Sequence, residues 1–216
     1  AITNWEIPYL KNLGLDNEDI TYIPNGIPNN FFIQKFAKEE NKILYLGRIS
    51  PIKNLQVLIK AISLINDKKV LLELVGPAEK DYKQKLEILI KELKLDDRII
   101  FSQPIYNIKE KIRKIDSCKI FVLPSFSEGM PQSLVEAMSR GKITIASNNQ
   151  GNSDLIINYK NGLLFETSNE KQLAEKINYC LDIKNKKEIG LLKKQARNSV
   201  LRFKWSKVIN DMERLF

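Results

Sequence analysis

Between residues 42 and 165 the chain alternates between two hydrophobic rhythms, and few folds satisfy both. Six short apolar runs, at 43–46, 70–75, 99–101, 120–123, 143–146 and 163–165, are built mainly from Ile, Leu, Val and Phe and have the length of strands. Between them, residues 55–65, 80–93, 108–115, 131–140 and a short piece near 154–157 carry helical spacing, as in Leu55, Leu58, Ile59 and Ile62. Short buried strands separated by helices predict an α/β domain: a largely parallel sheet flanked by helices, with right-handed crossovers. From residue 170 the sequence reads as helical to its end, over 170–180, 187–203 and 205–216. The last of these gathers Trp205, Val208, Ile209, Met212, Leu215 and Phe216 into an apolar face that needs a surface to cover. Residues 1–24 read as a short helix, a short strand over 20–23 and the start of a turn-rich connector, Pro24-Asn25-Gly26-Ile27-Pro28.

Ligands of parallel sheets sit outside the carboxyl ends of the strands. Here those ends are Gly47-Arg48, Gly76-Pro77, residues 102–106 and residues 125–131. The last is the most informative. The strand 120–123 closes on Pro124 and is followed by Ser125-Phe126-Ser127-Glu128-Gly129-Met130-Pro131-Gln132-Ser133-Leu134-Val135-Glu136. Pro131 is placed as the first residue of a helix and Gly141 as the residue past its end. Glu128 then lies on the loop, and Glu136 between one and two turns into the helix. The free N–H groups of the helix start face the loop, which is how a fold prepares a seat for phosphate. A carboxylate beside that seat and a second one set back to hold another hydroxyl suit a nucleotide-sugar.

Composition removes several function classes. With no histidine in 216 residues, Ser-His-Asp and Cys-His machinery and the commonest zinc ligand are absent from this chain. Cys118 and Cys180 have no paired spacing and read as reduced, buried thiols. No apolar run has the length of a bilayer-spanning helix. The net charge of +9 comes from lysines scattered along helices without interleaved aromatics, so nothing resembles a nucleic-acid motif; a basic face suits phosphate-bearing substrates or anionic lipid surfaces. No G-x-G-x-x-G follows any strand, which disfavours a dinucleotide-binding oxidoreductase. No Asp-x-Asp pair suited to a metal-diphosphate occurs. The first residues, Ala1 to Glu6, lack the pattern of a signal peptide, and the missing Met start gives the expectation that the sequence begins inside a longer protein.

The Glu128–Glu136 string resembles the E-x7-E segment of retaining glycosyltransferases of GT-B architecture, the group-1 family (family four). The likeness runs from Ile20 to the end. Ile23 to Ile27 is similar to the connector leaving the first domain, and Gly47-Arg48 with Lys53 to the family's strand end and lysine. Leu74-Val75-Gly76 is similar to one wall of the donor site, Arg98 to Phe101 to the strand before the base loop, and Asn161-Gly162 to Phe165 to a late strand. Phe203 and Trp205 open a terminal helix that in the family crosses back to the first domain. The resemblance implies a Rossmann-like C-terminal domain over 25–204, preceded by a first-domain tail and connector over 1–24 and followed by a crossing helix over 205–216.

It further implies that Glu128 holds hydroxyls of the transferred sugar while Arg48 and Lys53 offset charge on the leaving diphosphate, these three being the catalytic set. Gly47, Gly76, Ile105, Tyr106, Gly129, Met130, Pro131, Ser133 and Glu136 would bind the donor, with Glu136 on the ribose diol. The expected substrate is a nucleotide-diphosphate sugar, without cofactor or metal. The loop from Ser102 to Tyr106 lacks the glycine many relatives place there, and uracil, guanine and adenine all stay open. The expected acceptor is lipid-linked or a polysaccharide, bound by a missing N-terminal domain, without nucleic acid. The expected setting is cytoplasmic, with peripheral contact at the inner face of a membrane. Alternatives are a related GT-B activity, a sugar-phosphate synthase or nucleotide-sugar epimerase, and a non-catalytic nucleotide-binding module.

Overall fold

The computed structural model describes residues 1–33 and 38–215. Its six strands, β1 (Lys42–Leu46), β2 (Leu71–Val75), β3 (Ile99–Ser102), β4 (Ile120–Leu123), β5 (Ile143–Ser147) and β6 (Leu163–Phe165), form one parallel sheet in the order β3-β2-β1-β4-β5-β6. Every residue of β4 and β5 is buried, as a strand covered by helices on both faces requires. The register pairs Ile43 with both Leu72 and Ile120, so β1 and β4 run side by side at the centre.

The helices are α1 (Ile7–Asn12), α2 (Leu55–Leu64), α3 (Lys80–Glu92), α4 (Ile108–Ser117), α5 (Gln132–Ser139), α6 (Gln150–Ser153), α7 (Glu170–Leu181), α8 (Lys186–Ser199) and α9 (Trp205–Glu213). Helix α2 packs on α3 and α7, and α5 packs on α8. Asparagine side chains start three of them: Asn107 accepts from Lys109 and Glu110, Asn149 from Asn152, and Asn169 from Gln172. Each satisfies an N–H that the first turn leaves orphaned. Gly141, at φ +63°, ends α5 as the sequence predicts.

Several sequence expectations move. Residues 20–23 form no strand; Ile23 instead donates its N–H to the carbonyl of Ala1. The short helix near 154–157 lies earlier, at Gln150–Ser153, because Asn149 caps it there. Pro131 is the N-cap of α5, one position before the first helical residue. The stretch 187–203 splits into α8 and a 3₁₀ turn, Leu201–Phe203. Helix α9 ends at Glu213, and Phe216 lies outside the described residues. It is tied down at its start: Ile27 N–H donates to Phe203 O (2.8 Å) and Trp205 N–H to Ile27 O (3.1 Å). Trp5 reaches the Gly129 loop, described below, and Leu13 is exposed.

Two charged groups inside the fold are held by partners from neighbouring elements. Arg140, fully buried, grips Asp116 in two parallel bonds (Nε to Oδ1 and Nη2 to Oδ2, both 2.8 Å) and donates to the carbonyls of Phe31 and Ile33. It thereby fastens the connector to α4 and α5. Glu73 interrupts β2 with a carboxylate that Lys114 (2.7 Å), Lys42 (3.2 Å) and the Ser102 hydroxyl (2.5 Å) all reach.

Removing the carboxylate in Asp116→Ala leaves the buried Arg140 charge without its counter-ion, which costs about 3–5 kcal/mol; urea unfolding should show a loss of that order. Asp116→Leu with Arg140→Met should recover only part of it, because the carbonyls of Phe31 and Ile33 then lose their donor. Acid should act through Glu73. Burial pushes its carboxyl up, but the bonds from Lys114, Ser102 and Lys42 outweigh burial and hold it below the ordinary value. Such a group adds stability above the unfolded carboxylate value, about 4.3, and loses it as pH falls through the lower folded value. Denaturation measured from pH 7 to 3 should show stability declining below about pH 4.3, with a shallower decline in Glu73→Gln; equal slopes would put the acid sensitivity elsewhere.

Candidate functional site

Parallel strands β1 and β4 end side by side, and the loops after them close on each other. Phe126 N–H, after β4, donates to Ile52 O, after β1 (2.9 Å). On the β1 side a 3₁₀ turn, Pro51–Lys53, hands over to α2 through Asn54 in the left-handed region (φ 49°). That turn aims Lys53 across the gap, where its Nζ donates to Glu128 Oε1 at 2.7 Å. Ser125 Oγ donates to the same oxygen at 2.5 Å. Oε1 is thus engaged twice, while Oε2 is not drawn into either bond. Tyr45, buried in β1, donates its hydroxyl to the carbonyl of Arg48 (2.5 Å) and fixes the strand end. Burial, and then the neighbouring Glu128 carboxylate, push the Tyr45 phenol well up, so it stays a donor. The Arg48 side chain is exposed and has no ion-pair partner among the described residues.

The Glu128 loop has no regular structure and is held from below and outside. The Ser125 carbonyl accepts from Ser147 Oγ and from Asn149 Nδ2 (2.9 Å), and Asn152 Nδ2 binds Ser147 O (2.9 Å). Gly151 lets the loop rest directly on α6: a Cβ there would stand 2.3 Å from the carbonyl oxygens of both Glu128 and Gly129. From outside, Trp5 Nε1 donates to Gly129 O (3.3 Å) and Asn25 N–H to Met130 Sδ (3.2 Å). Across the cleft, Gly76 at φ +146° permits a backbone approach no side chain could share, since its Cβ would lie 2.1 Å from Gly47 O.

Between these walls lies a cavity of 420 Å³. Of the residues singled out by sequence, Gly47, Arg48, Lys53, Glu128, Met130, Pro131 and Ser133 line it. Gly76 and Gly129 are one contact removed. Ile105 is half-buried against the core and Tyr106 is 87% exposed, so neither reaches the cavity wall. Glu136 is also off the wall: it is 4% exposed and paired with Lys111 (2.7 Å), with Oε2 buried and unpartnered. Burial pushes its carboxyl up against the pull of Lys111.

Tyr45, Ser50, Ile52 and Gln132 line the cavity without having been read from sequence. Gln132, beside Pro131 at the helix start, was the one with a legible signal; Ser50, whose buried hydroxyl has no partner, had none. Volume does not choose this cavity, because another of 480 Å³ lies beside Asn54 and Ser168. Chemistry does: an unpaired arginine, a lysine, a carboxylate and the N-terminus of α5 converge here. Among the described residues no group of three or more His, Cys, Asp or Glu side chains could hold a metal ion.

The family model of glycosyl transferases group 1 matches residues 26–198. The UDP-Gal:alpha-D-GlcNAc-diphosphoundecaprenol alpha-1,3-galactosyltransferase of Escherichia coli is 27% identical over 214 residues, 89% of this chain and 52% of that protein. A Campylobacter jejuni protein, GalNAc-alpha-(1->4)-GalNAc-alpha-(1->3)-diNAcBac-PP-undecaprenol alpha-1,4-N-acetyl-D-galactosaminyltransferase, is 29% identical over 190 residues, 84% of this chain and 51% of its own. The chain therefore spans about half the length of these curated relatives. The crystal structure of Anabaena HepE with UDP and glucose superposes with a TM-score of 0.87 at 22% identity, covering 100% of this chain and 61% of that one. Sucrose-phosphate synthase from Thermosynechococcus elongatus gives 0.87 at 24%, covering 100% and 56%. These likenesses establish the α/β fold of GT-B enzymes, and with the family match over most of its length, the chain belongs to the group 1 glycosyl transferases.

Proposed function

We propose that this chain is the donor-binding half of a retaining glycosyltransferase, which moves a sugar from a nucleotide-diphosphate sugar to an acceptor hydroxyl. The observation that carries this reading is the convergence of Arg48, Lys53, Glu128 and the start of α5 on one cavity at the β1–β4 junction. A diphosphate placed there meets a guanidinium with two-pronged donors, an ammonium and first-turn N–H groups. When the anomeric C–O bond breaks, charge grows on the leaving diphosphate oxygen, and fixed cations at that point stabilise it without reorganising. Glu128, with Oε1 held by Lys53 and Ser125, has Oε2 left for a sugar hydroxyl. Glu136, one turn deeper, takes the ribose, and the loop with Ile105 and Tyr106 takes the base.

The Escherichia coli relative's name gives a UDP-sugar donor and a diphosphoundecaprenol-linked acceptor, and the HepE crystal holds UDP. By that likeness the donor here is a UDP-sugar, the acceptor is lipid-linked, and the acceptor pocket belongs to an N-terminal half outside this sequence. The chemistry then needs no metal or cofactor. The division of the chain at residues 24 and 205, a cytoplasmic setting and peripheral contact with the membrane face belong to the same proposal. Among the described residues no helix is long and apolar enough to cross a membrane.

Titration calorimetry of the chain with UDP, GDP and ADP tests the reading. At least one, with UDP expected first, should bind, and no sugar should be transferred by this half alone. A folded chain that takes up none of the three would sink it. Among variants, Arg48→Ala and Lys53→Ala should each lose about tenfold or more in affinity for the nucleoside diphosphate, since a charge-assisted contact contributes about 1.5–3 kcal/mol. Glu128→Gln should behave in the opposite sense. It frees Lys53 from its partner, so affinity for the nucleotide should hold or rise while sugar transfer by the whole enzyme falls. If Glu128→Gln weakens nucleotide binding as much as Lys53→Ala does, the carboxylate serves the nucleotide and not the sugar.

A further inference from the structure

One ion pair, between half-buried Lys111 and buried Glu136, stands beside the site without lining it. Ser133 and Gln132 face the cavity, and Glu136 follows them at i+3 and i+4, on the same side of α5 and about 4.5 Å deeper. Side chains on a helix lean toward its N-terminus, so Glu136 leans back toward the cavity. Its two oxygens are treated differently. Oε1 receives the ammonium of Lys111 at 2.7 Å, whereas Oε2 is buried and has no donor. A buried acceptor without a donor is rare in a folded protein and asks for a reason.

Lys111 belongs to α4, in the turn after the Asn107 cap, and so follows directly on the loop 102–107 beyond β3. We infer that Lys111 is a positioning residue for the ribose end of the site: it holds one oxygen of Glu136 and so presents the other, unpartnered oxygen to the hydroxyls of a bound ribose. This rests on the donor-site reading and adds to it a residue that the cavity wall does not include. The charge of Lys111 matters as well as its reach. Burial pushes the Glu136 carboxyl up and Lys111 opposes that push, so losing the ammonium moves the carboxyl toward the protonated form, a poorer acceptor. The site gains discrimination from this arrangement, because a ligand without the ribose hydroxyl leaves the buried oxygen unsatisfied.

The test compares UDP with 2′-deoxy-UDP (or the GDP or ADP pair, where the chain prefers that base) by calorimetry on wild type, Lys111→Met, Lys111→Arg and Glu136→Gln. Wild type should prefer the ribonucleotide by about tenfold or more. Lys111→Met should lose that preference by weakening UDP while leaving the deoxynucleotide within about threefold, and Lys111→Arg, which keeps a cation at this place, should restore most of it. A Lys111 that only supports the fold would lower both affinities together or lower the melting temperature with the ratio intact, and that result overturns the inference. Lys111→Gln, read by the same ratio, serves if the methionine variant does not fold. If Glu136→Gln abolishes the preference but neither neutral Lys111 variant does, Lys111 is not the positioning residue and the donor-site reading stands. If Glu136→Gln leaves the preference unchanged, Glu136 does not hold the ribose and the inference falls while the donor-site reading stands; if no nucleoside diphosphate binds, both fall.

Discussion

The placement of β1 beside β4 is the constraint from which the site follows. The chain lays down β2 and β3 on one side of β1, then returns to start β4 on the other. Because all strands are parallel, the loops after β1 and β4 leave the same edge of the sheet. Their helices part company there: α2 joins the layer of α3 and α7, and α5 joins α8. A crevice between two diverging connections is where open α/β sheets bind ligands. The Lys53–Glu128 pair spans 75 positions of sequence and exists only because of this strand order. No local preference of either loop would bring them together.

The central strands were legible because burial on both faces leaves an apolar signature, and the ends found from sequence fall within one residue of those in the structure. Glu73 shows why such a reading survives an exception. A carboxylate in the middle of β2 would break the strand if unpaired, and it holds because two lysines and a serine reach it from neighbouring elements. Failures came where structure depends on a cap or a distant partner. Helix α6 has no apolar periodicity of its own and starts where Asn149 supplies an acceptor. Residues 20–23 look like a strand, but they join no strand of the sheet, and Ile23 bonds to the carbonyl of Ala1. In the site, the residues at the end of β1 and on the Glu128–Glu136 string were legible, whereas Tyr45 inside β1, Ser50 between Arg48 and Lys53, and Lys111 on α4 acquire meaning only in three dimensions.

The net charge of +9 says less than the placement of a few cations. Most lysines lie along exposed helix faces, where solvent screens them. Within the fold, Lys42, Lys114, Lys142 and Lys193 are committed to Glu39, Glu40 or Glu73. Among the described residues the balance in the cavity differs: Lys53 is paired, Arg48 is not, and Glu128 is the single carboxylate on the wall. On the proposed reading an incoming dianion meets one cation already free and one it must share with Glu128. Sharing costs some affinity, and in return Lys53 is already oriented, so little side-chain freedom is lost on binding.

The same economy explains how a loop without regular structure can carry a demanding role. On the proposed reading Glu128 addresses a sugar hydroxyl, and a carboxylate in that role has to be held to within a fraction of an ångström, which loops do poorly unless other residues support them. Residues 125–130 are supported on every side the structure describes. Ser147, Asn149 and Asn152 hold the backbone at Ser125, Gly151 forms a floor with no Cβ, and Phe126 is bonded to the opposite loop at Ile52. Trp5 and Asn25, from the segment that precedes the sheet, close the outer side at Gly129 and Met130. None of these groups needs to touch a substrate. Each removes a direction in which Glu128 could drift. The loop thus draws its restraints from four separate parts of the chain.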